Sequence, residues 1–228
     1  MHEPNAMLHT AEIVHWCALA VMAVVYTMRL MWLFRFKAGG DKSAPGQPGR
    51  TDRRRGAIYS FFNVAMPWSM ESTRRGPFFY ATFVLFHLGV VAGIALAFLS
   101  TVAAGLMRTP VVAWTVMSLL VVACLIGVYR LVRRIAVPHM RLISTPDDFF
   151  SLVMLTVWFG LGAATQAHRV GVAGFESVVL LVAYLYLTSF FLLYVPFSKI
   201  SQYLYYPFTR IWIGRALGHR GSYPVVRG

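Results

Sequence analysis

The fold is decided by residues 77–100, PFFYATFVLFHLGVVAGIALAFLS, an apolar run with one imidazole, His87, near its middle. A hydrocarbon layer of about 30 Å is crossed by about 20 helical residues, so this segment predicts a transmembrane helix. His87 lies about 15 Å into that helix at about 1.5 Å per residue. Because water cannot easily reach that depth, we expect the imidazole to bond to another group, and we take His87 as the first candidate functional residue.

Four further stretches have the same character. The chain has 228 residues, of which 58% are hydrophobic, and its mean hydropathy is +0.62. That balance is typical of a membrane protein and excludes an ordinary soluble domain. We therefore predict an all-α membrane protein, a single membrane domain of residues 1–228 whose five transmembrane helices form a bundle. The predicted spans are residues 11–34, 78–99, 111–132, 149–167 and 176–197.

The basic residues predict the orientation. Nine Lys and Arg lie in residues 35–77, four in 130–141 and five in 198–228, against only Arg108 and Arg169 in the other two connections. By the positive-inside rule the N-terminus is periplasmic, and the loop 35–77 and the C-terminal tail 198–228 are cytoplasmic. Topology and contact with anionic lipid explain the net charge of +13. Since no nucleic-acid-binding motif accompanies it, we expect lipid but no nucleic acid as a partner.

Three segments outside the spans allow local predictions. Residues 35–56 are basic and rich in Gly and Pro, which predicts a flexible loop. The aromatic stretch AIYSFFNVAMPWSM, residues 57–70, is too short to span and is expected to lie along the inner interface or against a partner. Residues 145–148, TPDD, predict a helix cap at the start of the fourth span. Proton uptake by the two acids is the alternative.

The other ionisable residues within or beside the spans favour structural roles. His15 lies about one turn inside the outer end of the first span, where imidazole reaches water or a carbonyl, with a ligand role as the alternative. Arg29, near the inner end, is expected to extend to the headgroups or to sit beside a quinone or an acid. His168 and Arg169 form a solvated loop pair or touch a periplasmic partner. No second histidine matches the depth of His87, although haem b held between helices normally takes two side chains.

Three stretches together resemble a known family. They are LFHLGVVAGIALAFLS at 85–100, YRLVRRIAVPHMRLISTPDDFFSL at 129–152 and YVPFSKISQYLYYPFTR at 194–210. Over residues 11–212 the chain resembles the gamma-subunit family of respiratory nitrate reductase, five-helix cytochromes b of the bacterial inner membrane that exchange electrons with quinol. Within it, the chain is most similar to the small integral-membrane subunits of high-molecular-weight cytochrome c (Hmc) complexes of sulfate-reducing bacteria.

The resemblance implies positions for cofactor ligands. The family holds two haems b between two histidines of helix two and two of helix five, which here fall on His87 and Ala97 and on Tyr184 and Gln202. By depth it pairs His87 with Gln202 on the cytoplasmic side and Ala97 with Tyr184 on the outer side. The outer pair offers no nitrogen ligand. For the inner pair two interpretations stay open: at most one haem b with His87 as its metal ligand, or no haem, with His87 bonded to Gln202 or lining a menaquinone niche.

The resemblance also implies a function and partners. It predicts a membrane subunit of a respiratory complex that links a periplasmic multihaem cytochrome c, reduced by hydrogen oxidation, to cytoplasmic iron–sulfur subunits and sulfate reduction, beside a second polytopic subunit. The alternative is a haem-free structural anchor. A transporter is disfavoured because no span carries a central acid, and no catalytic motif predicts catalytic residues. Candidate docking residues for the iron–sulfur subunit, equally explained by topology, are Arg53, Arg54, Arg55, Arg74, Arg75, Arg133 and Arg134.

Overall fold

The structure, a computed structural model, describes residues 3–46, 49–68, 71–172 and 178–224. In those ranges the chain forms helices and turns and no β-strand. Short 3-10 helices occupy Asn63–Ala65, Val195–Phe197 and Lys199–Leu204. The α-helices of the described part are α1 (Glu3–Phe34), α2 (Arg53–Phe62), α3 (Glu71–Arg75), α4 (Pro77–Val102), α5 (Ala104–Arg108), α6 (Pro110–Ala136), α7 (Pro138–Ile143), α8 (Pro146–Arg169), α9 (Val178–Tyr194) and α10 (Tyr206–His219).

Five of these helices are long and apolar enough to cross a membrane: α1, α4, α6, α8, and α9 with its 3-10 extension to Phe197. They coincide with the five predicted spans and extend a few residues beyond most of the predicted ends. Both α6 and α8 begin with a proline, at Pro110 and Pro146, where the missing N–H of proline removes no hydrogen bond. The prediction of an all-α fold with five candidate spans is confirmed.

The start of α8 is capped as the sequence predicts. Thr145 donates its backbone N–H to the Asp148 carboxylate at 2.8 Å and its hydroxyl to the same oxygen at 2.9 Å. Together with the Thr145 side chain accepting from the backbone of the first turn, this forms a capping box, and Pro146 occupies the first helical position. The preceding linker is fixed as well, since Arg134 donates to the Ser144 hydroxyl at 2.7 Å.

The chain divides into two compact units. Unit 1 comprises Met1–Ala20 and Ala81–Leu192, and unit 2 comprises Val21–Tyr80 and Leu193–Gly228. Unit 1 therefore contains the first part of α1, α4 from Ala81 onward, α6, α8 and most of α9. Unit 2 contains α2, α3, α10 and the basic segments that join them.

Unit 1 is held together where small residues let helices approach closely. A side chain added at Gly127 of α6 would collide with Thr156 of α8, and one added at Gly93 of α4 would collide with the Trp158 ring. Close approach through small residues is the usual basis of helix packing in hydrocarbon, where burial of apolar surface supplies little driving force. The fully buried large side chains of this core include Leu96, Met107, Leu120, Phe159, Tyr184 and Leu185.

Unit 2 is built on close contact between α2 and α10. The backbones of Gly56, Gly214 and Gly218 touch, so that a Cβ atom at any of them would overlap backbone atoms of the facing helix. The Asp52 side chain caps the start of α2 by accepting from the Arg55 N–H at 2.9 Å. The stretch predicted to follow the interface or a partner is thus partly helical and packs, through the first residues of 57–70, against α10.

Hydrogen bonds set the direction of this helix pair. The Arg210 side chain donates to the Ser60 carbonyl at 3.0 Å, and the Asp52 N–H donates to the Gly218 carbonyl at 3.1 Å. Later residues of α2 thus face earlier residues of α10, and the two helices run antiparallel.

The segment before α2 is ordered against α10. Trp212 donates its indole N–H to the Gly39 carbonyl at 2.6 Å, and the Gly46 N–H donates to the His219 carbonyl at 3.0 Å. The prediction of a flexible loop is therefore wrong for the described part of residues 35–52. Composition indicated flexibility because few apolar side chains are available to bury, whereas the order comes from polar contacts with a distant part of the chain.

An ion pair joins the same segment to the end of α10. Arg220 donates from Nε to Asp41 Oδ2 at 2.7 Å and from Nη2 to Oδ1 at 3.2 Å, across 179 residues of sequence. Asp41 also accepts from the Ser43 N–H at 3.0 Å. The Arg220 guanidinium holds the pKa of the Asp41 carboxyl well below its usual range, and the Asp41 carboxylate raises the pKa of Arg220.

Replacing Asp41 with asparagine should loosen this segment. Because the folded-state pKa is lowered, the pair stabilises the fold at all pH values above the ordinary Asp value of about 3.9, and this contribution is lost as the pH falls through the lowered pKa. We expect D41N to accelerate trypsin cleavage after Lys42 at neutral pH, while the unaltered chain remains protected from pepsin near about pH 4. Glu71→Gln, which breaks the exposed Glu71–Arg75 pair, is the control. Equal cleavage of D41N and the unaltered chain would contradict the assignment.

Candidate functional site

His87 lies on an exposed face of α4 in unit 1. Its Nδ1–H donates to the Phe83 carbonyl, one turn earlier, at 2.7 Å, and its ring lies 4.2 Å from that of Phe83 and 6.1 Å from that of Phe86 between centroids. A carbonyl can only accept, so Nδ1 carries a proton, and in the neutral form of the ring the lone pair is on Nε2. A backbone carbonyl that fixes the tautomer in this way is the usual second partner of a metal-binding histidine. The same lone pair can accept a hydrogen bond.

Gln202 lies in unit 2, in the 3-10 helix Lys199–Leu204, and its side chain is exposed. The backbone carbonyl of Gln202 accepts a hydrogen bond from the Tyr205 N–H at 3.1 Å, at the end of that helix. The pairing of His87 with Gln202 stays a prediction. Among the described residues, no three His, Cys, Asp or Glu side chains gather into a group that could hold a metal.

The outer pair, Ala97 and Tyr184, is fully buried in unit 1. The Tyr184 hydroxyl donates to the Gly93 carbonyl at 2.7 Å, and its ring stacks on that of Trp158 with 5.7 Å between centroids and 10° between planes. Trp158 in turn donates its indole N–H to the Thr188 hydroxyl at 2.8 Å. This position is packed by the chain's own aromatic side chains, and its one polar group is engaged, so its residues do not fit an iron porphyrin.

The inner position fits a haem only in part. His87 has the tautomer of an axial ligand, but an amide such as that of Gln202 binds iron poorly compared with imidazole. His87 is also exposed, so unit 1 encloses no ring around it. The described part of unit 1 offers Nε2 of His87 as a ligand atom and forms no pocket around it.

His15 packs in unit 1 as if it were apolar. It is 0% exposed, and its ring meets the ring of Phe98 edge to face at 5.5 Å between centroids and that of Trp16 at 6.1 Å. Within the described ranges neither ring nitrogen has a hydrogen-bond partner. The structural placement agrees with the interpretation that we favoured, but the expected bond to a neighbouring carbonyl is not formed.

Arg29 is fixed within unit 2. It donates to the Ser201 hydroxyl at 3.3 Å, and its guanidinium lies 5.8 Å from the centroid of the Phe197 ring. One turn away, Tyr203 donates its hydroxyl to that of Tyr26 at 2.7 Å. The inner half of α1 is thereby joined to the 3-10 helix that carries Gln202, a contact that the expectation of a headgroup-seeking side chain did not include.

Arg169 links α8 to α4 within unit 1. It donates to the Ser100 hydroxyl at 3.0 Å and to the Gln166 side-chain oxygen at 3.1 Å. Gln166 is itself 0% exposed. The expectation of a solvated loop pair is therefore wrong for Arg169, while His168 beside it is exposed. The sequence offered one local indication, a glutamine three residues earlier on the same helix face, but not the contact with Ser100.

The candidate docking arginines are distributed over both units. Arg75 pairs with Glu71 on α3, and Arg134 is bonded to Ser144, so both are engaged within the chain. Arg53 and Arg54 line a groove in unit 2 between α2 and α10, together with Arg215, which the sequence analysis missed. Only the packing of the two helices brings Arg215 beside them. The spacing of Gly214 and Gly218, four residues apart, was the signal that α10 packs closely on another helix.

Comparison with known proteins finds a relative of similar length. A protein of Nitratidesulfovibrio vulgaris (strain Hildenborough) is 26% identical over 217 residues, which cover 93% of this chain and 91% of the relative, and its recorded name, "Protein", states no function. No family model matches the chain. No solved structure matches it either.

Proposed function

We propose that this chain is an integral-membrane subunit of a respiratory electron-transfer complex, of the type found in the nitrate reductase gamma-subunit family and most similar to the small membrane subunits of Hmc complexes. In that complex it lies in the inner membrane, with its N-terminus periplasmic and its C-terminus cytoplasmic. A second polytopic subunit adjoins it, a multihaem cytochrome c docks on the periplasmic side, and iron–sulfur subunits dock on the cytoplasmic side. The chain supplies no catalytic residue of its own.

The observation that carries this proposal is the state of His87. A histidine on an exposed face in the middle of an apolar span, with Nδ1–H donated to Phe83, leaves Nε2 to meet a ligand or a hydrogen-bond donor from outside the unit. A ring nitrogen that faces hydrocarbon without a hydrogen-bond partner is costly, which favours a functional reason for an imidazole at this depth.

The surroundings of His87 support contact with menaquinone. The Arg130 guanidinium of α6 lies 4.7 Å from the centroid of the Phe86 ring, and Phe86 is the residue next to His87. A quinol hydroxyl can donate to Nε2 of His87, and a guanidinium can donate to a quinone carbonyl. If haem b were bound here, Nε2 of His87 would hold its iron, and the haem would supply one-electron transfer. The chain holds at most one such haem.

The cytoplasmic arginines that remain unengaged support docking of an iron–sulfur subunit. Arg74 and Arg133 have no ion pair among the described residues. Arginines at the end of a span favour the cytoplasmic side and can also meet an acidic partner surface.

A change of His87 to alanine tests the proposal in the purified complex. We expect the rate of quinol-linked electron transfer to fall about tenfold or more, the size of loss usual when a residue that orients or supplies a ligand is removed. The partner subunits should still co-purify. Pyridine haemochrome analysis should find no more than one haem b per chain, and any haem present should be lost with His87. The matched control is His139→Ala, an exposed histidine of α7. Two haems per chain would contradict the assignment of Ala97 and Tyr184 to the protein core.

A haem-free structural anchor is the second candidate function. The observation that favours it is the filled outer position, where Tyr184 is bonded to Gly93 and stacked on Trp158. The same experiment separates the two functions. If the His87→Ala complex transfers electrons at the original rate while removal of the whole chain dissolves the complex, the chain is an anchor.

A further inference from the structure

A groove of about 790 Å³ runs between α2 and α10 in unit 2. We call it the α2–α10 groove. Its volume lies in the range of sites that hold small organic ligands. Arginines and large apolar side chains line it: Arg53, Arg54, Ile58, Phe61, Ile211 and Arg215, with Ala57 and Phe62 beside them.

The lining changes from cationic to apolar along the groove. On α2 the arginines come first and the apolar residues follow, from Arg54 to Ile58 one turn later. On α10 the order is reversed, with Ile211 one turn before Arg215. Since the two helices are antiparallel, the arginines of both lie at one end and the apolar side chains of both lie at the other. The groove therefore has one cationic end and one apolar end, which matches a ligand with a charged head and an apolar tail.

In the described part of unit 2, each carboxylate near the cationic end already has another partner. The described part of unit 2 contains three acidic residues. Asp41 is bonded to Arg220, Asp52 caps α2, and Glu71 pairs with Arg75. Within the described ranges no carboxylate pairs with Arg54 or Arg215. Arg54 and Arg215 are therefore available to pair with a negatively charged group of another molecule.

The apolar end is open. Ile58 is 52% exposed and Phe62 is 51% exposed, although both are large and apolar. A basic helix with exposed apolar residues beside its arginines is characteristic of segments that lie at a membrane surface, where the headgroup meets the cations and the acyl region meets the apolar side chains.

We propose that the α2–α10 groove binds one anionic phospholipid. Its phosphodiester is held by the guanidinium groups of Arg54 and Arg215, each of which can donate two parallel N–H bonds to phosphate oxygens. Arg53 lines the groove beside them and donates from Nη2 to His219 Nδ1 at 3.3 Å. Its acyl chain lies along Ile58, Phe61, Phe62 and Ile211. A lipid satisfies both ends of the groove with one molecule. An acidic protein surface would match the arginines but would leave the apolar end unfilled. This inference is independent of the electron-transfer function proposed above.

Native mass spectrometry of the full chain in detergent tests this site. Phosphatidylglycerol and phosphatidylcholine, with identical acyl chains, are added in separate titrations. We expect one phosphatidylglycerol to bind more tightly than phosphatidylcholine. The double variant Arg54→Gln/Arg215→Gln should weaken phosphatidylglycerol about 25-fold, or about fivefold for each arginine removed. Inorganic phosphate at the same concentration should not displace the lipid, because it makes no apolar contact.

A variant with the same change of charge elsewhere is the control. Arg74→Gln/Arg141→Gln removes two exposed arginines that do not line the groove, and we expect it to change the affinity by less than about twofold. Equal weakening by the two double variants would overturn the proposal, since it would show a diffuse response to net charge. Equal affinity of the unaltered chain for the two lipids would overturn it as well.

Crosslinking in the membrane provides a second measurement that does not depend on the arginine variants. A photoreactive phenylalanine analogue replaces Phe62 in the full chain, in cells that contain the whole complex. Crosslinks to phospholipid support the proposal. A crosslink mainly to another protein subunit would overturn it and would assign the groove to a protein interface.

Discussion

Replacing Trp158 by alanine should lower the free energy of unfolding of the chain by about 3 kcal/mol, the lower end of the range for buried Trp and Phe truncations. Trp158 is 4% exposed, stacks on Tyr184, and donates to Thr188. Its removal leaves a cavity and takes away the hydrogen bond that the Thr188 hydroxyl accepts, although that hydroxyl still donates to the Tyr184 carbonyl at 2.7 Å. We take the lower end because lipid is itself apolar, so the loss comes from packing contacts and the cavity and not from transfer into water.

Titration with a denaturing detergent, followed by circular dichroism of the purified chain, measures this change. Trp114→Ala is the matched control, because Trp114 of α6 is 50% exposed and should contribute less than about 1 kcal/mol. Trp158→Phe should fall between them, with a loss of about 1 kcal/mol for the hydrogen bond. Equal losses for Trp158→Ala and Trp114→Ala would show that the aromatic core of unit 1 is packed differently.

Replacing Gly214 by valine should separate α2 from α10. A Cβ atom at Gly214 would already overlap two backbone atoms of α2, the Gly56 carbonyl oxygen and the Ala57 Cα. Backbone atoms cannot move aside as the end of a flexible side chain can. Overpacking of this kind costs about 2–3 kcal/mol, which raises the open fraction of the helix pair roughly 30-fold or more. The bonds from Gly46 and Asp52 to the end of α10 should be lost with it.

Limited trypsin digestion reports this opening. Cleavage after Lys42 and Arg50 should accelerate in proportion to the open fraction when opening is fast relative to cleavage. Gly105→Val is the control, because no atom lies within 4 Å of a Cβ added at Gly105. If Gly214→Val is digested at the original rate, then α2 and α10 do not form the contact described.

The Gly214→Val prediction and the lipid site are two consequences of one feature, the contact between α2 and α10. Gly56, Gly214 and Gly218 bring two helix backbones into contact, and this contact aligns Arg54 with Arg215. A variant that opens the pair should therefore also lose the phospholipid. In contrast, Trp158→Ala, in unit 1, should leave lipid binding unchanged in any chain that remains folded.

The local part of the fold was predictable from sequence. Each span is defined by its own apolar length, and every backbone hydrogen bond of a helix in hydrocarbon is made within that helix. The cap at Thr145 and Asp148 was predictable for the same reason, since its partners lie three residues apart. His87 was identified because an imidazole at that depth stands out in any apolar run.

The candidate site was predictable only in part. Sequence identified Arg53 and Arg54 but not Arg215, because the third arginine of the groove is more than 150 residues away and joins them only through helix packing. Arg169 was assigned to solvent, yet its partner Ser100 lies 69 residues earlier. The proton on Nδ1 of His87 follows from its hydrogen bond to the Phe83 carbonyl, and the sequence alone does not show that this bond forms.

The sequence by itself determined the number, length and approximate limits of the apolar helices, because bilayer thickness and hydrogen bonding within a helix act over about 20 neighbouring residues. The tertiary structure alone decided the α2–α10 pair, the order of residues 39–46, the aromatic core at Tyr184 and the exposed position of His87. Those features depend on which surfaces fit one another across long separations. Whether two such surfaces pack together depends on the shapes of their side chains and on where their polar atoms lie in space. Neither can be read from a local stretch of sequence.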